Sequence, residues 1–518
     1  MYAPIITLFQ KIEKRLDAIA MYRIVSVSLL FIAFFAALFG FFGIIPYTGT
    51  EQVISLVIAL VVALVTNWLC SKIWRISVNH ESAFITALIL FFLIIPAQLS
   101  DIGSSWVIAL VTFVAILSKF VFAWRKQHIA NPAAIGVVLV ALAYSVFPIP
   151  GYFESTWWIG RIELFVPLLI AGVAVVTKIR KWTPVLSFLA VAFVVYLFEE
   201  WRFGADVMSR AGSFWFAGPG LFLAFFMLTE PFTMPPTKKL QLVYGAFVGF
   251  ISQTTLFLPF LKMTPEFALV VGNLVMYPST LKRKLILPLV SSVEVAKNTY
   301  EFAFAKPAGL KFEAGQYLEW MLPHTKSDNR GIRRYFTISS GPSDTLLRVA
   351  VRFADTVSTY KSVMRDMKVG DTIIASQLAG DFVLPKDLEQ KVALIAGGIG
   401  VTPFLSQIDE MVTQKSVRST VLFYCNNTVE EIAYKDKLAA AAEVIPLTVV
   451  NVLAKEEVPG YETGYVTKEL IKKYVPDYVS VKWYLSGPPG MVNAYSALLR
   501  EVGVPEKNIK RDFFPGLA

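Results

Sequence analysis

Three short stretches in the C-terminal part of the chain carry residues whose spacing suits chemistry. Arg334 to Ser340 read RYFTISS, Gly397 to Pro403 read GGIGVTP, and Gly487 to Met491 read GPPGM. In the second, an apolar run enters a glycine turn and then a helix start carrying Thr402 and Pro403. Gly397, Gly398 and Gly400 let the backbone approach the pyrophosphate of a dinucleotide. Between the first two stretches, Ser358 and Thr359 open a helix, where hydroxyls and free N–H groups suit phosphate oxygens. The third stretch, preceded by Ser486, is a second strand-end loop. Residues of this kind position a cofactor whose own ring does the hydride chemistry.

The surrounding elements follow from pattern. From Ser291 the chain alternates as short strands, SSVEVAK, NTYEFAFA and FEAGQYLEW, and TVLFYCNN (Thr420–Asn427) reads as the strand after the glycine turn. An antiparallel β-barrel is expected over 285–388 and an α/β Rossmann-like domain over 389–518. Residues 1–284 differ in kind. They form a series of long apolar runs, the source of the mean hydropathy of +0.58. They hold 21 Lys+Arg against 12 Asp+Glu, and the remainder holds 27 against 26. The net charge of +10 therefore sits beside membrane spans and calls for no nucleic-acid partner.

A hydrocarbon core of roughly 30 Å needs about 20 apolar residues per helix. Ten spans are expected, near 22–44, 52–70, 82–99, 104–123, 132–148, 162–178, 183–198, 213–230, 240–260 and 264–281. The loops then split 17 basic residues against 4, which by the positive-inside rule places both termini in the cytoplasm of a multi-pass inner-membrane protein. Lys11, Lys14, Arg15 and Arg23 and the length of the first apolar run argue against a cleavable signal peptide. Leu88–Pro96 resembles Leu223–Pro231, and Ala130–Leu139 resembles Met263–Gly272, at nearly equal spacing. A 5+5 inverted repeat is expected, with a site near its interface. Asn131-Pro132 reads as a helix cap whose N–H groups face a flavin phosphate or ring oxygen, or as a plain cap. Ser252, Gln253, Thr254 and Thr255 fall inside the ninth expected span, where they need partners within the protein. Glu81, Glu163, Glu230 and Glu266 fall near span ends, which weighs against a pump.

Cys70 and Cys425 are the two cysteines, and His80, His128 and His324 the three histidines. Two distant cysteines exclude a Cys-ligated iron–sulfur cluster and a structural zinc site within the chain. No two histidines share an expected span, so haem of the kind ferric reductases and NADPH oxidases hold is not expected. No metal site is expected.

The motif set over about 289–518 resembles the ferredoxin–NADP reductase-like flavoproteins: GQY at Gly315–Tyr317, RYFTISS, GDF with Pro385, GGIGVTP, SGPPGMV and the terminal DFFPG. The resemblance implies bound FAD and a nicotinamide dinucleotide. For FAD it implies Arg334 on the pyrophosphate, with Tyr335 beside it. Phe336 stacks on the ring and Thr337 bonds near N5. Ser340, Val351, Ser358, Thr359 and a covering Phe514 (or Phe513) complete the set. For NAD(P) it implies Gly397, Gly398, Gly400, Thr402, Pro403, Asn426, Ser486, Gly487, Pro488 and Met491. Ser486 stands where the family often has cysteine; with Thr337 it is the candidate for positioning the hydride step. Asn426 and Asn427, where an NADP site usually has arginine, favour NADH; Lys435 and Lys437 read as a solvated helix face.

Val78–Leu90, Ser118–Gly136 and Phe225–Gly245 resemble the membrane flavin subunits of the sodium-translocating NADH:quinone reductase and of the Rnf complex, over roughly 20–280. Those subunits carry covalent flavin on an S/T-G-A-T threonine. The corresponding loop here, Glu199–Ser213, has no threonine. The resemblance therefore implies a non-covalent FMN or riboflavin, with His128, Asn131, Thr229, Glu230 and Thr233 as candidate residues. The expectation is a membrane-bound NAD(P)H-oxidising flavoprotein passing electrons through FAD to the membrane domain and on to a quinone or across the membrane. A redox-driven cation (Na+) pump, and a membrane-anchored reductase serving a soluble or subunit-borne carrier, are the alternatives. A homo-oligomer is also open.

Overall fold

The computed structural model describes residues 16, 19–74, 80–98, 102–124, 127–147, 153, 155–254, 264–279, 284–324, 328, 331–353 and 357–513. It divides into two compact units, Met1–Lys284 and Leu285–Ala518.

Among the described residues, the first unit has five helices long and apolar enough to cross a membrane: Met21–Phe41, Gly49–Ile73, Gly103–Val121, Ile162–Ile179 and Trp182–Arg202. Only 33% to 39% of their apolar windows is buried. The outward Val, Leu and Phe side chains therefore need an apolar solvent, which lipid supplies. Shorter helices fill the centre. His80–Leu93 is enclosed on all sides from Thr86 onward, and at 1.5 Å per residue its 14 residues reach only about 21 Å. Pro132–Val146, Lys238–Gln253 and Pro265–Met276 are of similar length. Helix Lys238–Gln253 packs on Trp182–Arg202 through glycine; a Cβ on Gly249 would lie 2.7 Å from the Phe188 carbonyl oxygen, so the close crossing requires its absence.

Two expectations change. The stretch 213–230 is not one span. Helix Val207–Phe216 stops, and the chain restarts as Gly220–Phe222 running into a π-type turn, Leu223–Met227. Pro219, which has no N–H, sits between Gly218 and Gly220 at the break. Ser252, Gln253 and Thr254 end a helix rather than lying inside one. Thr254 is the extended C-cap, and Ser252 Oγ donates to the Gly249 carbonyl at 3.0 Å. Thr255 lies outside the described residues. A two-rung hairpin, β1 (Ala123–Trp124) and β2 (Gln127–His128), leads into Pro132–Val146.

The second unit contains two six-stranded sheets. The first is antiparallel, in the order β6-β5-β8-β3-β4-β7: β3 (Leu285–Ala296), β4 (Thr299–Ala305), β5 (Tyr317–Met321), β6 (Arg333–Thr337), β7 (Leu346–Arg352) and β8 (Thr372–Ala379). The start of β3 alternates buried and exposed residues, the mark of a sheet with one face on a core. The second sheet is parallel, ordered β12-β11-β10-β9-β13-β14: β9 (Val392–Gly397), β10 (Thr420–Asn426), β11 (Leu447–Leu453), β12 (Glu462–Thr463), β13 (Lys482–Gly487) and β14 (Ile509–Phe513). Every residue of β9 is buried, because helices cover both faces of a central parallel strand.

Candidate functional site

The carboxyl edge of the parallel sheet gathers the residues expected to hold the dinucleotide. β9 ends at Gly397, Gly398–Val401 form one 3₁₀ turn, and helix Thr402–Thr413 starts with Pro403 in its first turn. Thr402 Oγ1 donates back to the Ile399 carbonyl at 3.1 Å, closing the turn. The neighbouring turn after β13 packs directly on it. A Cβ on Gly400 would lie 2.7 Å from Gly487 Cα, and Met491 and Pro488 close on Gly397. The close approach that Gly397 and Gly400 permit is thus to the adjacent turn. Gly398, at φ +52°, is open except toward Arg352 Nη1. Ser486 is fully buried at the seam, and its Oγ has no hydrogen-bond partner among the described residues. Asn426, at the end of β10, is 6% exposed and lies beside Tyr424, with neither amide atom in good hydrogen-bond geometry among the described residues. Lys437 is held by Asp409 at 2.6 Å and Lys435 lies over the Tyr461 ring, so both serve the helix surface.

The residues expected to hold FAD lie on β6, β7 and the next helix. Arg334 is 9% exposed. Its Nη1 donates to the carbonyls of Gly331 (2.9 Å) and Arg333 (2.7 Å), and its guanidinium sits 4.9 Å from the Tyr360 ring centroid. Its Nη2 lies 3.5 Å from Asp328 Oδ1, and the Thr359 N–H donates to Asp328 Oδ2 at 3.2 Å. An internal carboxylate therefore bridges the two groups expected to share a pyrophosphate, so they fit an anion. His324 joins them. Its Nδ1 donates to the Leu322 carbonyl at 2.8 Å, and its Nε2 lies 3.2 Å from Thr359 Oγ1. Ser358 caps the helix through the Lys361 N–H. Phe336 faces Tyr360 at 6.0 Å between ring centroids. Tyr335 is exposed and stands edge-on to Tyr317. Burial pushes the Tyr317 phenol up to about 12, with Asp512 and Asp381 adding to it; it stays neutral beside Thr337, its strand partner. Val351 is buried in the barrel.

Ser340 takes a structural part. Its Oγ accepts the Arg348 N–H, and its carbonyl accepts from Ser406 Oγ at 2.7 Å. With Gln407 Nε2 on the Phe382 carbonyl, this fastens helix Thr402–Thr413 to the barrel. Phe514 lies outside the described residues. Asp328, His324 and Tyr360 were not expected at the site; no motif marks them.

In the membrane unit the five candidate residues converge. Asn131, Thr229 and Glu230 line one cavity with Ser82, Thr86, Tyr22 and apolar residues. His128 Nε2 meets Glu230 Oε1 at 2.7 Å, and Thr233 Oγ1 lies 3.4 Å from Glu230 Oε2. Lys119 Nζ donates to Ser82 on the cavity wall. Asn131 caps its own helix, Oδ1 accepting the Ala133 and Ala134 N–H groups at 3.1 and 3.2 Å. Those N–H groups are consequently satisfied within the protein. The Asn131 N–H donates to Asn273 Oδ1, and Asn273 Nδ2 to Tyr244 Oη. Glu266, although near a helix start, is fully buried. Ser155, Thr264 and Trp157 lie beside it, outside hydrogen-bond geometry to either carboxylate oxygen.

Comparison with known proteins finds a match within each unit. The family model described as "NQR2, RnfD, RnfE family" matches residues 151–277, and that described as "Oxidoreductase NAD-binding domain" matches 394–497. One chain thus carries a stretch that matches each of these two family models. Similar curated proteins match over less than half of the chain. Flavohemoprotein A of Dictyostelium discoideum is 25% identical over 237 residues, 43% of this chain and 58% of that protein. NADH-cytochrome b5 reductase 1 of Mortierella alpina is 27% identical over 227 residues, 42% and 75% respectively. The chain spans little more than half the length of the flavohemoproteins it matches. Among solved structures, the flavohem-like FAD/NAD binding domain of nitric oxide dioxygenase from Vibrio cholerae O1 biovar El Tor is 20% identical. It covers 44% of this chain and 98% of that one, with a TM-score of 0.40.

Proposed function

We propose that the protein is a membrane-bound NAD(P)H-oxidising flavoprotein that sends electrons into its NQR2/RnfD/RnfE-family domain. The observation that carries the hydride end is the seam of the two strand-end turns, where the Ser486 hydroxyl is buried and has no partner among the described residues. A buried donor left alone costs about 1–3 kcal/mol; a nicotinamide carboxamide would satisfy it. The open Gly398 turn fits the pyrophosphate of the same dinucleotide. Arg334 and the Thr359 N–H fit the pyrophosphate of FAD, with Asp328 giving way to it. Thr337 holds a hydroxyl where the ring edge is expected, and Phe336 offers a ring face. Bound FAD takes up hydride and releases electrons singly.

On this reading the membrane cavity receives the electrons. A core of about 30 Å is too thick for one efficient transfer, so a carrier must lie within it. The convergence of His128, Asn131, Thr229, Glu230 and Thr233 supports a non-covalent FMN or riboflavin there, with quinone as onward acceptor. The proline-led helices Pro132–Val146 and Pro265–Met276, joined by Asn131 and Asn273, support the 5+5 inverted repeat. The loop charges support cytoplasmic termini. The buried Glu266 favours a second reading, redox-driven ion transport. The test is anaerobic mixing of purified protein with NADH. Rapid bleaching of flavin absorbance followed by quinone-dependent reoxidation is expected; a flavin that stays oxidised refutes the proposal.

A further inference from the structure

The adenosine end of the dinucleotide site carries a further determinant, which rests on the hydride reading above. In parallel sheets of this type, the residue just past the second strand meets the adenosine ribose, and a cation there accommodates a 2′-phosphate. Here that strand is β10, and the turn after it runs from Asn426 to Ala433. Three of its donors are engaged by carboxylates. The Asn427 N–H and Nδ2 donate to Glu431, and the Val429 N–H donates to Glu456 Oε2 at 2.8 Å. Glu456 is held there by the sheet: the Ala454 and Lys455 N–H groups pair with the Asn426 and Asn427 carbonyls at 3.0 Å.

Among the described residues, Arg352 and Lys297 contact this turn, and Lys455 follows β11. Arg352 is spent on Glu431 through both η nitrogens (2.6 and 3.3 Å). Lys297 is spent on Glu430 at 2.8 Å. Hydrogen bonding to Glu430 holds the Lys297 ammonium above its ordinary value, with Glu431 and Glu456 also acting on it. Lys455 is exposed, and Glu457 follows two residues on. Beneath the turn, the Asn426 amide is buried with neither atom in good hydrogen-bond geometry among the described residues. The Tyr424 hydroxyl accepts from the Ala433 N–H and lies next to the Asn426 side chain. The turn thus offers a neutral amide suited to ribose hydroxyls, while Arg352, Lys297 and the Asn427 and Val429 N–H groups already hold carboxylates.

We propose that this turn selects NADH over NADPH, with Glu456 and Glu431 excluding the 2′-phosphate and Asn426 receiving the unmodified ribose. A dianionic phosphate would have to displace two carboxylates and then lie against them.

The test is steady-state and rapid reduction of the full-length protein's flavin by NADH and by NADPH, in wild type, Glu456→Gln and Glu456→Lys. The wild-type kcat/KM ratio is expected to favour NADH by about a hundredfold or more. Glu456→Gln should raise the NADPH/NADH ratio about tenfold, and Glu456→Lys further. A merely structural Glu456 would lower both cofactors together and leave the ratio unchanged, and that result overturns the inference while the hydride reading stands. A wild type that uses NADPH as well as NADH also overturns it alone. A flavin that neither dinucleotide reduces overturns both.

Discussion

Replacing Gly400 by alanine probes how the hydride end is built. The added Cβ would lie 2.7 Å from both Gly487 Cα and the Ser486 carbonyl carbon, where ordinary contact begins at 3.4 Å. The obstructing atoms are backbone, so no side chain can rotate away. The Ser486 carbonyl oxygen is nearer still, so the turn carrying Ser486 must retreat by about 1 Å, and overpacking of this kind costs about 1–3 kcal/mol. A displacement near 1 Å at a reacting site lowers the rate about a hundredfold. Gly400→Ala should therefore fold and keep its FAD, which is expected on Arg334 and Thr359 in the barrel. Its NADH-dependent flavin reduction in stopped flow should fall by about two orders of magnitude. Reduction at the wild-type rate, with FAD content and thermal unfolding intact, would show that the seam does not position the nicotinamide.

Asn131→Ala removes the cap on two N–H groups at once, so the membrane unit should lose about 1–2 kcal/mol, seen as a lower unfolding temperature in detergent. Burial pushes the Cys425 thiol up to about 12, with Tyr495 alongside; iodoacetamide at pH 8 should label it only after unfolding, as mapped by mass spectrometry. Hydrogen bonds from Arg500 and then Arg511 hold Glu506 down at about 2 against an ordinary 4.5. A depressed carboxylate stabilises above its unfolded value and loses that stabilisation as pH falls toward the folded one. Because Glu506 is exposed, screening limits the effect to about 1 kcal/mol or less. Urea unfolding from pH 4.5 down to 2 should show this loss, and Glu506→Gln should abolish it.

The motifs legible in the sequence were those whose chemistry is local. GGIGVTP combines a buried strand, a glycine turn and a proline-led helix within a dozen residues, and each part acts on its neighbour. The partners of those motifs lie far away in sequence. Asn131 reads as a cap, but its N–H is met by Asn273, 142 residues on, and nothing near either residue signals the other. Asp328 and His324 reach Thr359 from a separate loop in the same way. The expected span 213–230 failed because hydropathy registers apolar side chains while Gly218-Pro219-Gly220 breaks the backbone. Glu266 lay near a helix start as expected; what the pattern missed is that this start is itself buried.

The most direct test of the account is acid extraction of flavin from purified full-length protein, with identification and counting of what is released. FAD together with a comparable amount of FMN or riboflavin, and none left on the denatured chain, is the predicted result. FAD alone would contradict an electron path through the membrane domain's own flavin.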